Sequence, residues 1–175
     1  MRQCKPLPAG YMITIRSYGT WLHGDIRGST TRFVNEFGVP HLGYNPELLE
    51  DSRSRMRQCP YSMDRARRTC VLSAIVEVCE FKAWHLHAAH VREEHAHAVV
   101  SAALAPERII IALKARSTRM LNQAGLDSVD RKRWARGGSR RYLWTEQQVK
   151  EAIRYILEEQ GEPMETFRGR ATASA

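Results

Sequence analysis

Two runs of strand-forming residues, 84–91 and 95–102, flank the short polar segment Arg92-Glu93-Glu94. A connection of that length predicts an antiparallel hairpin. A hairpin alone is marginal in water, so further strands and packed helices must cover it. Tyr11-Met12-Ile13-Thr14-Ile15-Arg16 alternates and is rich in β-formers, which predicts another strand.

Helical signals fill much of the remainder. Pro46 after Asn45 opens a short polar helix that Pro60 closes. From Met63, with Ser62 as its cap, to about Lys82, the residues Val71, Ala74, Ile75, Val78 and Cys79 recur at three and four, as one buried helical face requires. Pro106 starts a helix with an apolar stripe of Ile109, Ile110, Leu113, Met120 and Leu121 and a basic stripe of Lys114, Arg116 and Arg119. Thr145-Glu146-Gln147-Gln148 is a capping box, so a last helix runs to about Gln160, before Gly161 and Pro163. Residues 17–45 carry too many glycines for a long regular element and read as a loop. The segment 127–141 reads as a basic loop.

The 175 residues suit one domain over the whole chain, with a core from about 11 to 161, an N-terminal arm at 1–10 and a flexible tail at 165–175. With 43% hydrophobic and 26% charged residues, the composition is that of a globular protein rather than a disordered or fibrous one. No run of about 18 uncharged apolar residues is available to span a bilayer, and the N-terminus lacks the apolar core of a secretory signal. A cytoplasmic location without membrane association is therefore expected. Cys4, Cys59, Cys70 and Cys79 form no C-x-x-C pair and read as reduced thiols. Lys and Arg exceed Asp and Glu by 27 to 19, a formal charge of +8 that suits a polyanionic partner.

His95-Ala96-His97 sets two imidazoles on one face of a strand, the placement a divalent metal needs. His85-Leu86-His87 has the same spacing, and periodicity does not choose between the two pairs. On the last helix, Val149, Ala152, Ile153 and Ile156 define a core face. At about 100° per residue, Tyr155 and Glu159 lie within roughly 40° of each other at its edge, and Glu158 faces solvent. A histidine pair, a tyrosine and a basic surface together fit phosphodiester transesterification, with the phenolic oxygen as nucleophile and a metal stabilising charge on the phosphate. A phenol needs nearby cations to favour its ionised, nucleophilic form at neutral pH.

Four segments together resemble one family. They are Tyr11–Arg16 running on to Gly19-Thr20-Trp21-Leu22-His23-Gly24-Asp25; Trp84–Ser101 with Val91-Arg92 and His95-Ala96-His97; the basic helix from Lys114 to Asn122; and Arg141-Tyr142-Leu143-Trp144 leading to Ala152-Ile153-Arg154-Tyr155. The chain resembles the single-tyrosine HUH transposases, and among them the REP-associated tyrosine transposases of bacteria. The resemblance implies an α+β fold, an antiparallel sheet with packed helices in the ferredoxin-like or RRM-like palm of HUH endonucleases. It implies that His95 and His97, not His85 and His87, hold the metal, and that Tyr155 is the nucleophile. In the family a Gln or Asn four residues after the tyrosine commonly completes the metal set; Glu159 departs from this, though a carboxylate suits a hard cation. Ala96 is a small middle residue for the histidine motif.

The implied activity is metal-dependent nicking and joining of single-stranded DNA at hairpin-bearing repeats, with Mg²⁺ or Mn²⁺ as cofactor and the bacterial nucleoid as the place of action. Lys114, Arg116, Arg119, Arg131, Lys132, Arg133, Arg136, Arg140 and Arg141 are the candidate DNA contacts, with Trp21 or Trp134 for base stacking. About six phosphate contacts on a single strand give a slope near −4 of log affinity against log salt. A monomer is expected, with a homodimer as the alternative. Two rival functions are a domesticated hairpin-DNA binder that no longer cuts and a metal-dependent RNA-binding or nuclease domain with no covalent step.

Overall fold

The computed structural model describes residues 6–27 and 43–169. Cys4 and the rest of residues 1–5, the middle of the 17–45 loop and the end of the tail lie outside the described residues. Strand β1 (Gly10–Arg16) is followed by α1 (Pro46–Ser54), α2 (Arg65–Phe81), β2 (His85–Val91), β3 (His95–Ser101), α3 (Pro106–Gln123), β4 (Ser139–Leu143), α4 (Glu146–Glu158) and β5 (Glu165–Arg168). The fold is α+β. Its five strands form one antiparallel sheet in the order β4-β1-β3-β2-β5.

The caps follow the chemistry of the sequence in three helices. Asn45, Asp64 and Thr145 each accept a backbone N–H of the first turn, from Leu48, Arg67 and Gln148. Asp64 rather than Ser62 caps α2. Pro106 stands at the start of α3, where its missing N–H costs nothing.

Alternation divides the sheet's side chains between two layers. Ile13 and Ile15 of β1 with Ala96, Ala98 and Val100 of β3 join the core under α2 and α3, whose apolar faces also pack on each other. On the opposite face, Val99, Ala88 and Leu143 meet Val149, Ala152 and Ile156 of α4. Fully burying a side chain such as Ile156 contributes about 1.5–3 kcal/mol, enough to seat a short helix against the sheet. His95 and His97 share the α4 face with Val99.

Two expectations change. Residues 165–168, placed in a flexible tail by composition, pair with β2 as an edge strand. Part of the basic segment forms β4 on the other edge, with an isolated bridge between Ser17 and Trp134. Short edge strands gain much of their order from the neighbour they join, a signal that local sequence does not carry. Among the described residues, no helix is long and apolar enough to cross a membrane. Cys59, Cys70 and Cys79 are free thiols.

Candidate functional site

The site lies between the β1–β3 ladder and the C-terminal end of α4. The His95 and His97 rings are 4.7 Å apart by centroid, and the Tyr155 ring lies 6.3 Å from that of His97. The Thr14 hydroxyl, opposite His97 in the ladder, is hydrogen-bonded to His97 Nδ1 at 2.8 Å. With the proton on that nitrogen, Nε2 keeps its lone pair for a ligand. Burial lowers His95 to about 4, helped by the charges of Arg92 and Arg16, and burial with neighbouring His95 lowers His97 to about 3. Both are neutral imidazoles at pH 7, the form that binds metal.

The third member of the cluster is Gln160, whose side-chain amide works against the burial of both His95 and His97 and so lies beside the two rings. Glu159, the sequence candidate, instead pairs with Arg154 at 3.2 Å, its side chain about half exposed. The reason is local. Helix α4 ends at Glu158, and Glu159 is its C-cap at φ −111°, so the regular 100° step no longer applies there. The departing chain turns Gln160, not Glu159, toward the histidines. A search for an amide just past the helix end would have found it. Among the described residues, no group of three His, Cys, Asp or Glu is placed to hold a metal, but two imidazoles and an amide oxygen make a neutral donor set that fits a divalent cation and leaves positions open.

His90 ties the helix to the sheet. It is fully buried, its Nδ1 donates to the Ile156 carbonyl at 2.7 Å, and its Nε2 accepts from the Met164 N–H at 3.2 Å. This pair of bonds holds the turn that carries Tyr155. The rival pair, His85 and His87, sits around a bulge at the far end of β2, and His87 Nε2 is hydrogen-bonded to Ser101 Oγ. From His95 to the paired Ser101 is six strand residues, about 20 Å. Tyr155 contacts the His97 end.

The basic candidates separate into held and open groups. Arg133 is 3% exposed and donates to Asp127, Asn122 and the carbonyls of Arg131 and Ser128. Lys114 donates to the carbonyls of Ala135 and Gly137 and clamps the basic segment onto α3. Arg131 donates to Gln58 and to the Cys59 and Pro60 carbonyls; Arg116 pairs with Glu77 and Arg140 with Glu107. Arg119, Lys132, Arg136 and Arg141 are exposed and form no ion pair among the described residues. Trp134 donates to Thr118 and Trp21 is stacked by Arg16. The exposed aromatic pair is a different one: Tyr142 and Trp144, stacked with centroids 5.8 Å apart at the β4 edge. Their side-by-side exposure follows from the edge-strand geometry of β4, which the loop-like composition of the basic segment does not announce.

The arrangement defines an α+β domain in which a histidine pair on a central strand, one half-buried and one buried, faces a tyrosine on a covering helix. The chain belongs to the IS200-like transposase family, whose profile matches residues 61–160. That span contains α2, β2, β3, α3, β4 and α4 but not β1, α1 or β5. Among solved structures, the chain is similar to a REP-associated tyrosine transposase bound to a REP hairpin, at 11% identity and a TM-score of 0.47, covering 91% of this chain and 70% of that one. No curated protein gives a significant match.

Proposed function

We propose that this protein is a metal-dependent single-stranded DNA endonuclease and strand transferase of the REP-associated type, acting on hairpin-bearing repeats in the bacterial cytoplasm, with Tyr155 as its covalent nucleophile. The observation that carries this reading is the Tyr155 ring beside the neutral pair of half-buried His95 and buried His97. His95, His97 and Gln160 would hold Mg²⁺ or Mn²⁺, which when bound supplies positive charge against a phosphate oxygen. Tyr155 is 41% exposed, so an incoming backbone can reach its hydroxyl. Thr14 fixes the His97 ring, and His90 fixes the turn that bears the tyrosine. Arg119, Lys132, Arg136 and Arg141 bind the DNA backbone, while Tyr142 and Trp144 stack on unpaired bases. Four phosphate contacts on a single strand give a log–log salt slope of about −3.

Labelled hairpin DNA from repeats flanking the coding region, incubated with Mn²⁺ or Mg²⁺ and run on a denaturing gel, tests this directly. A metal-dependent protein–DNA adduct is expected, absent from Tyr155→Phe and from His95→Ala. Tyr142→Ala/Trp144→Ala is expected to weaken hairpin binding by at least about tenfold, since each stacked base contributes about 1–3 kcal/mol. Salt-sensitive binding with no adduct would favour a binder that does not cut, and adduct formation that survives Tyr155→Phe would remove the tyrosine from the mechanism.

A further inference from the structure

Arg16 closes β1 directly opposite His95 in the ladder, two residues after Thr14, and so projects on the same sheet face as the histidine pair. Its guanidinium carbon lies 3.4 Å from the centroid of the Trp21 ring, and Arg27 approaches the same ring at 4.7 Å. Arg27 has its charge answered by Asp25 at 2.8 Å and Glu94 at 3.4 Å. Nearby, Arg154 is paired with Glu159, Arg168 with Glu158, and Arg92 donates to the Glu162 carbonyl. Arg16 differs from all of these: it is partly buried and, among the described residues, has neither a carboxylate partner nor a side-chain hydrogen bond.

Removing a guanidinium from water without an anion to receive it is unfavourable, and a face-on indole recovers only part of that cost. The stack instead immobilises a side chain with several rotatable bonds and leaves its donor edge unclaimed by any described residue. Trp21 is itself held, because its loop is tied to the start of α1: Asn45 N–H donates to the Gly24 carbonyl at 3.0 Å. A side chain on Gly24 would meet the Asn45 oxygen at 2.3 Å, and its φ of +87° also demands glycine. The described start of this loop therefore sets Trp21 against the Arg16 guanidinium, beside His95. The charge of Arg16 is felt at both His95 and His97, which places it within electrostatic reach of the site.

We propose that Arg16 binds a non-bridging oxygen of the phosphodiester that Tyr155 attacks, with Trp21 as the positioning residue that holds its guanidinium in place. The inference rests on the proposed tyrosine chemistry. In that step the Tyr155 oxygen–phosphorus bond forms as the phosphorus–O3′ bond breaks, the phenolic proton passes to solvent, and the departing 3′ oxygen takes up a proton from water. The phosphate gains negative charge on its equatorial oxygens at the transition state, and a fixed guanidinium binds that state more strongly than the diester.

The test is single-turnover adduct formation on hairpin DNA with Mn²⁺, using wild type, Arg16→Ala, Arg16→Lys and Trp21→Ala. The substrate carries either the ordinary phosphodiester or a methylphosphonate at the scissile link. Arg16→Ala is expected to slow adduct formation by about 100-fold or more, to leave hairpin affinity within about threefold because the proposed contact gains most of its strength only at the transition state, and to recover partly when guanidinium ion is added. Arg16→Lys and Trp21→Ala fall between. On the methylphosphonate, which lacks the charged oxygen, the difference between wild type and Arg16→Ala should collapse. Equal rates on the phosphodiester, or a deficit of the same size on both substrates, would overturn the role of Arg16 alone. Absence of an adduct from wild type on every hairpin tried would overturn the tyrosine reading and this one with it.

Discussion

Asp127 is the hub on which the basic segment is built, and replacing it with Asn should be among the most destabilising conservative changes in the chain. Its carboxylate, 5% exposed, accepts from Tyr61 Oη at 2.7 Å, Arg67 Nε at 2.9 Å and Arg133 Nε at 2.8 Å. Burial alone would raise this carboxyl, but the hydrogen bonds from Arg133, Tyr61 and Arg67 outweigh it and hold it below its ordinary range. Asp127→Asn preserves the shape and removes the charge, leaving the Arg133 guanidinium, whose side chain is 1% exposed, without its counter-ion. Breaking one side of a buried pair costs about 3–5 kcal/mol. In a domain of this size each kcal/mol shifts Tm by about 2–4 °C, so a fall of about 6–20 °C is expected. Calorimetry or thermal circular dichroism at pH 7 measures it, and the deficit should persist in 1 M salt because solvent does not reach the pair. A fall of under about 2 °C, or one that vanishes in high salt, would refute the argument by showing that Arg133 exchanges its partner for water. The same reasoning removes Arg133 from the DNA-contacting set: Arg133→Ala should lower Tm and leave the salt slope of DNA binding as it was.

Isothermal titration with Mn²⁺ should separate the two residues after α4: Gln160→Ala is expected to weaken binding by about tenfold or more, as loss of groups that hold or orient a metal does, and Glu159→Ala by less than about twofold. The reverse order would restore Glu159 as the ligand. Stability should also fall on acidification through the His87 region. Burial, with His85 adjacent, lowers His87 to about 4 from its ordinary 6.5. The unfolded chain therefore takes up this proton first as pH drops, so the stabilisation present above about pH 6.5 is lost on the way to pH 4. For a partly exposed group that amounts to about 1–2 kcal/mol between pH 7 and 5, and His87→Gln should flatten the melting curve's pH dependence over that interval. An unchanged profile would show that another group governs it.

The residues themselves specified much of this protein. Hydrophobic period and capping chemistry, local properties read within a few turns, defined the hairpin of β2 and β3, the strand β1 and the four helices with their ends near Pro46, Pro106 and Thr145. The family resemblance placed Tyr155 and the 95/97 histidine pair as the functional set, and the structure brings those three side chains to one place.

What depended on distant partners was not legible. Spacing left His85/His87 and His95/His97 equivalent, because both are period-two pairs on strands; only the packing of α4 across the sheet decided which pair Tyr155 meets. A helical wheel favoured Glu159, because it assumes regular geometry past the last turn, and the cap brought Gln160 in instead. Strands β4 and β5 are short edges ordered by β1 and β2, and nothing in their own composition announces them. The charge of each arginine was visible in the sequence, but whether it is answered was not: Arg133 is spent on Asp127, and Arg16 beside His95 has no ion-pair partner among the described residues. Ion pairing is a property of three-dimensional proximity and shared burial, and both are created only when the chain has folded.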